Sequence, residues 1–342
     1  MMKIVCLGPK GSFSDVVARE WAKKEVEIEI QYKDTINDVF NEFQTFKKNG
    51  ISAIGIMPIE NSIEGSVANT VDRLIELDGV IIGEVILNIR QNLLSINEIE
   101  LSDIKIIYSH PQAFAQTRGW IQKNCPQTTL IEVGSTSGAA ERVRIENIPE
   151  RVAIASVEAA TFFGLKALRK SINDFPNNQT RFIVLGHGKT PITERDKTSL
   201  VFSVENKPGS LLKVLEIFDV YNVNILKLES RPTKKKLGLY HFFVDIEGHQ
   251  HQESIRNALA LLKKKGGVKI LGSYPASVLK KKVKKIKEDK MIIVLRPDAT
   301  TEQTKHIVDK LTGIGLEPHV SSGTERTIIG VTGEGPWALN RY

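Results

Sequence analysis

Five short polar segments carry the residues able to do chemistry. They are Gly8-Pro9-Lys10-Gly11-Ser12-Phe13-Ser14, Pro58-Ile59-Glu60-Asn61-Ser62-Ile63-Glu64-Gly65-Ser66, Ser109-His110-Pro111-Gln112, Gly134-Ser135-Thr136-Ser137-Gly138 and Asn177-Asn178-Gln179-Thr180-Arg181-Phe182. Hydroxyls and amides dominate them, and charges are few. Each also reads as an ordinary helix cap, since Ser, Thr and Asn commonly precede helices and Pro111 suits a first turn. Their recurrence at successive strand ends points to one shared crevice. Neutral donors and helix N-termini in such a crevice suit a small, anionic, hydroxylated substrate.

The elements that must position these segments alternate along residues 1–185. Short β-rich runs at 3–7, 53–57, 104–108, 129–133, 152–155 and 181–185 are interleaved with helical patterns at 14–24, 35–48, 67–77, 111–124, 136–145 and 157–165. This βαβ rhythm predicts a mostly parallel sheet covered by helices, with ligands held beyond the strand ends. Residues 196–276 read as β-α-β-β-α-β, the ferredoxin-like order. A Lys-rich linker at 277–290 leads to β-α-β-β at 291–333, most of a second such unit, and a tail at 334–342.

Composition excludes several classes. The chain has 342 residues, 41% hydrophobic and 25% charged, which is ordinary for a globular protein. No apolar run approaches the roughly 18 residues of a membrane span, and the N-terminus turns too early for a signal peptide; the expectation is a cytoplasmic protein. Two cysteines, Cys6 and Cys125, make no disulfide framework. The net charge of +7 is local. Lys263–Lys290 holds eleven lysines and two acids, so this stretch carries +9 and the rest of the chain sums to −2. Its densest part, Lys280–Lys287, has no aromatic residue for base stacking and reads as a solvated linker, so neither nucleic acid nor membrane is expected as a partner. Gly186-His187-Gly188-Lys189-Thr190 ends like a phosphate-binding loop but lacks the first glycine and a following helix. His249-Gln250-His251 has no partners for a metal. No metal or cofactor is expected.

These segments, in this order, resemble the prephenate dehydratase family. The second module resembles an ACT domain, with Asn206-Lys207-Pro208-Gly209-Ser210-Leu211-Leu212 and Leu228-Glu229-Ser230-Arg231-Pro232 matching its two signatures. Gly209-Ser210-Leu211-Leu212 departs mildly from the Gly-Ala-Leu-Val form. The resemblance implies an α/β fold: a two-lobed, periplasmic-binding-protein-like (type II) catalytic domain at 1–185, then a ferredoxin-like ACT domain at 196–276. It implies a carbon–oxygen lyase that converts prephenate to phenylpyruvate with loss of water and carbon dioxide. Thr180 takes the catalytic position. Glu60, Asn61, Ser62, Ser109 and Gln112 line the cleft, Ser135 and Thr136 suit a carboxylate, Arg181 pairs with a carboxylate, and Phe182 covers the ring. The ACT resemblance implies phenylalanine as allosteric effector at Gly209, Ser210, Leu211, Leu212, Glu229, Ser230, Arg231 and Pro232. Glu229 and Arg231 read equally as an ion pair. Such sites are shared between subunits, so a homodimer or homotetramer is expected. Arogenate dehydratase and a non-enzymatic amino-acid sensor remain as alternatives. No chorismate mutase bundle precedes Met1, so prephenate is expected from another polypeptide.

Residues 291–333 resemble the N-terminal ferredoxin-like domain of one class of 3-deoxy-D-arabino-heptulosonate 7-phosphate synthase. The resemblance does not extend to the synthase barrel, and no synthase activity is expected of this piece. The piece reads either as a docking module for an aromatic-pathway synthase or as a remnant.

Overall fold

A computed structural model describes residues 2–23, 27–234, 239–277, 291–295, 299–313, 317–322 and 327–332. Most of the Lys-rich linker and the tail lie outside the described residues. The chain divides into two compact units, residues 1–278 and 279–342.

The first unit opens with β1 (Met2–Leu7), α1 (Phe13–Ala22), β2 (Ile28–Lys33), α2 (Ile36–Lys48), β3 (Ala53–Asn61), β4 (Gly65–Ser66), α3 (Ala68–Glu76) and β5 (Val80–Asn88). A second lobe follows: β6 (Asn92–Ser95), β7 (Ile106–Ser109), α4 (Pro111–Asn124), β8 (Thr129–Glu132), α5 (Thr136–Glu146), β9 (Arg151–Ala155), α6 (Val157–Phe163) and β10 (Lys166–Arg169). The chain then returns to the first lobe as β11 (Gln179–Gly186). The first sheet has the order β2-β1-β3-β11-β5, with β4 attached to β3. The second has the order β10-β6-β9-β7-β8.

Both sheets are mixed, which corrects the expectation of a mostly parallel sheet. β1 pairs in parallel with β2 and β3, and β7 with β8 and β9. β11 runs antiparallel to both β3 and β5. That direction is what makes the site: it brings the start of β11 against the end of β3.

The second module is β12 (Asp196–Ser203), α7 (Leu212–Val220), β13 (Ile225–Pro232), β14 (Tyr240–Glu247), α8 (Glu253–Lys265) and β15 (Val268–Pro275), with sheet order β13-β14-β12-β15. The predicted β-α-β-β-α-β order is present, with α7 starting at Leu212 instead of Ser210. One sheet face packs on α7 and α8 through Leu200, Phe202, Phe218, Val244 and Leu259. The other face joins the first lobe's core. Val201, Phe243, Leu271 and Tyr274 cluster with Phe43, Leu77, Ile81 and Leu185. At this seam β15 presses on β5 through Gly272, where an added Cβ would lie 2.1 Å from the Ile81 carbonyl oxygen. Lys269 Nζ also donates to the Ile75 and Leu77 carbonyls at 2.8 and 2.6 Å, capping the carbonyl end of α3 from across the seam.

The second unit contains β16 (Met291–Val294), α9 (Thr301–Gly313), β17 (Glu317–Ser322) and β18 (Thr327–Thr332). Its antiparallel sheet has the order β16-β18-β17, and Leu295, Leu311 and Ile329 form its core.

Candidate functional site

Strand register builds the site. β3 and β11 set Asn61 opposite Thr180 and Glu60 opposite Arg181. Neighbouring residues on a strand project to opposite faces. The amide and hydroxyl therefore share one face, and the carboxylate and guanidinium share the other.

On the first face, Asn61 Nδ2 donates to Thr180 Oγ1 at 2.9 Å and to Asn178 Oδ1 at 2.8 Å. Its Oδ1 accepts from the backbone N–H groups of Ile63 and Glu64, at 2.9 and 3.2 Å, which fixes the amide orientation. Thr180 is half-buried. Its oxygen accepts from Asn61, so its own proton is available for a third group. Asn178, buried, donates to Gln116 Oε1 at 2.9 Å, which carries the network onto α4 of the second lobe. Gln116 Nε2 returns to Glu64 at 3.1 Å, and Gln112 Nε2 also donates to Glu64. The two glutamines stand one helical turn apart on α4, so one carboxylate meets both.

Beside this network the Gly8–Ser14 turn meets the second lobe. Ser137 Oγ donates to the Lys10 carbonyl, and Ser156 Oγ to the Gly11 carbonyl at 3.1 Å. Gly11 has φ +78°, and an added Cβ would lie 2.9 Å from Ser137 Oγ, so this approach needs glycine. Asp15, buried, holds the turn by accepting from Gly11 N at 2.8 Å, while Tyr32 OH and Arg19 Nε reach its other lone pairs at 2.7 and 2.9 Å. Ser12, His110 and Ser135 cap α1, α4 and α5. Thr136 begins α5, where unpaired N–H groups attract a carboxylate.

The expected site residues thus divide. Asn61, Thr180 and Gln112 belong to the inter-lobe network, and Ser135 and Thr136 form the α5 start. Ser62 closes the turn nearby, its Oγ donating to the Asn177 carbonyl at 3.1 Å. Four expectations are corrected. Ser109 is fully buried and spends its hydroxyl on the Ile154 carbonyl at 2.7 Å. Phe182 is buried under α1 with Ile4, Cys6 and Val17, so it packs the core instead of covering a ring. Glu60 lies on the opposite strand face, 3.5 Å from Arg181 and 3.4 Å from Lys227. Arg181 is buried in ion pairs and does not face the cleft. Its Nε donates to Glu84 at 2.6 Å, Nη1 to Asp245 at 2.5 Å and Nη2 to Tyr274 OH at 2.9 Å. Burial works against this guanidinium, but Tyr274, Asp245 and Glu84 outweigh it and hold its pKa well above the ordinary value.

Asn178, Gln116, Glu64 and Gln91 were not among the expected site residues. Asn178 stands beside Thr180, and Gln116 follows Gln112 by four on α4; that spacing is the signal for the pair. Gln91 donates to Gln116 at 3.3 Å.

In the second module, Gly209 adopts φ +77° in the turn before α7. Arg231 and Glu229 face the first lobe: Arg231 Nε reaches Asp72 at 2.7 Å and Nη1 lies 3.7 Å from Glu229. This is the ion-pair reading. The opposite face of β13 leaves Leu226 and Leu228 exposed.

The family model described as "Prephenate dehydratase" matches residues 4–190, "ACT domain" matches 198–260, and "DAHP synthase ferredoxin-like domain" matches 291–338. A bifunctional chorismate mutase/prephenate dehydratase of Aquifex aeolicus is 40% identical over 282 residues, which cover 81% of this chain and 75% of that protein. A prephenate dehydratase of Methanocaldococcus jannaschii is 36% identical, covering 78% of this chain and 96% of that protein. Two solved structures superpose closely. One, described as GqqA, a novel type of quorum quenching acylase, has TM-score 0.71 and 31% identity, covering 80% of this chain and 98% of that one. The other, a prephenate dehydratase of Arthrobacter aurescens in complex with L-Phe, has TM-score 0.70 and 31% identity, covering 80% and 89%.

Proposed function

The chain belongs to the prephenate dehydratase family and carries an ACT domain, and from that premise we propose that it converts prephenate to phenylpyruvate under control by phenylalanine. The observation that carries this reading is the hydrogen bond from Asn61 to Thr180. Prephenate loses its ring carboxylate as carbon dioxide. The electrons of the breaking C–C bond enter the ring and expel the ring hydroxyl as hydroxide, which becomes water by taking a proton from solvent. Aromatisation makes the reaction downhill. The enzyme needs to orient the substrate and stabilise the departing oxygen.

Thr180 is suited to the second task. Its lone pair is occupied by Asn61, so its O–H is turned toward the leaving oxygen. A threonine is a weak acid, so it acts by a hydrogen bond that strengthens as charge develops. The start of α5, capped by Ser135, offers backbone N–H groups to a substrate carboxylate. Glu64, held by Gln112 and Gln116, ties the two lobes across the substrate.

The enzyme works in the cytoplasm; no helix among the described residues is long and apolar enough to cross a membrane. The exposed Leu226 and Leu228 on the edge strand β13 support assembly of a homodimer or homotetramer through the ACT domains. Residues 291–338, which match a synthase domain, dock the enzyme on an aromatic-pathway synthase; deletion of 277–342 is expected to abolish capture of that synthase in a pull-down, and unchanged capture overturns the docking role. The deciding experiment follows phenylpyruvate formation from prephenate, with arogenate as the competing substrate and with phenylalanine added. Turnover of prephenate that phenylalanine suppresses supports the reading. No turnover overturns it.

A further inference from the structure

Arg181 neighbours the catalytic threonine but spends its guanidinium on the ACT domain. Of its close partners, Glu84 lies on β5, while Asp245 and Tyr274 come from β14 and β15 of the ACT sheet. All three are buried, Asp245 and Tyr274 fully. Lys197 of β12 reaches both Glu84 oxygens at 3.0 and 2.9 Å. Two cations and two carboxylates form the buried centre of this network, and Glu60, 3.5 Å from Arg181, extends it to Lys227. Ser199 donates to Asp245 and shares a 2.6 Å hydrogen bond with Tyr274 OH. The network crosses the seam. Breaking one member of such a buried set leaves a partner unpaired, so its members move together. Beside it is a crevice of about 280 Å³ lined by Glu60, Arg181, Lys197, Lys227 and Asp245.

We infer that Arg181 is a positioning residue for Thr180, and that the Arg181–Asp245–Tyr274 contact is the link through which the ACT domain sets turnover. This rests on the reading of Thr180 as the group that assists the departing hydroxyl. Thr180 and Arg181 are consecutive on β11, and the same register step joins Asn61 to Glu60 on β3. A shift of β14 and β15 is therefore handed to the backbone that carries the Asn61–Thr180 pair. The guanidinium meets three partners in three directions, which a lysine cannot reproduce.

The test compares wild type, Arg181→Lys and Tyr274→Phe in the full chain, measuring kcat, KM, the half-inhibiting phenylalanine concentration and the melting temperature. Tyr274→Phe removes one oxygen and keeps the ring that fills the seam, so it keeps the test open if Arg181→Lys fails to fold. In the folded variants we expect kcat to fall and the half-inhibiting concentration to shift, each by about 2- to 30-fold, with KM within twofold. A lower melting temperature with unchanged kcat and unchanged inhibition in Tyr274→Phe marks a structural seam only and overturns the inference. Wild type inactive on prephenate is a separate result: it overturns the proposed function, and this inference with it.

Discussion

Asn61 Nδ2 lies 2.9 Å from Thr180 Oγ1 across the paired strands β3 and β11, and it donates. The direction matters. Asn61 Oδ1 already accepts from two backbone N–H groups, so the amide cannot turn round. Thr180 receives a hydrogen bond on its oxygen, which leaves its proton to give. A weak acid placed in this way serves as an oriented donor to an oxygen on which negative charge develops.

Thr180→Val keeps the shape and removes the donor. Its kcat is expected to fall about 10²- to 10⁴-fold with the melting temperature nearly unchanged, because the hydroxyl is half-buried and its donor Asn61 keeps the hydrogen bond to Asn178. Thr180→Ser restores most of the turnover. Near-normal turnover in the valine variant removes Thr180 from the mechanism.

Asn61→Asp tests the direction of the hydrogen bond. The introduced carboxylate keeps the acceptor for Ile63 and Glu64 but presents a second acceptor to Thr180. The Thr180 proton then turns toward that carboxylate and away from the leaving oxygen. The expected loss in kcat is about 10²-fold or more, comparable to Thr180→Val, and the double variant is little worse than either single one. Independent, additive losses in the double variant contradict the coupling.

The ferredoxin-like order of the second module was legible because it rests on local pattern: turns at strand ends, helix caps and period. The two lobes, Asn61 and Thr180 were reached only through the family resemblance, since the two residues stand 119 apart and no local pattern pairs them. The surroundings of Arg181 were not legible by either route. Its partners Asp245, Tyr274 and Glu84 lie 64, 93 and 97 residues away, and no spacing rule reaches so far. One local signal did exist. Adjacent strand residues face opposite ways, so Thr180 in the cleft already argued against Arg181 there. The antiparallel course of β11 was illegible for a different reason, since period two carries no direction. Phe182 looked like a ring cover because an aromatic beside a catalytic position invites that reading; burial against α1 decides otherwise.

Gly272 limits how closely the ACT sheet approaches β5. Gly272→Ala places a methyl group 2.1 Å from the Ile81 carbonyl oxygen, so the seam must open. Overpacking of this kind costs about 1–3 kcal/mol. The variant is expected to melt several degrees lower and to lose part of its response to phenylalanine, while Gly134→Ala, with nothing within 4 Å, melts like wild type. Equal melting of all three proteins rejects the close contact.

Glu146 gives a pH dependence whose sign follows from its partners. It ends α5, where the carbonyl end of the helix repels an anion. Burial alone would raise its pKa, but hydrogen bonds from Arg151 and Arg142, both at 2.8 Å, and from Tyr108 OH at 2.9 Å pull it down to about 2. Its ordinary value is 4.5. Between these values the unfolded chain binds the proton and the native one does not, so protonation favours unfolding. The stabilisation is therefore complete above about pH 4.5, and it drains away as pH falls toward 2. In Glu146→Gln the melting temperature is lower at neutral pH, and its further fall between pH 5 and pH 3 is smaller than in wild type. High salt narrows the difference, since the pair is partly exposed. Parallel melting curves for the two proteins across that range contradict this assignment.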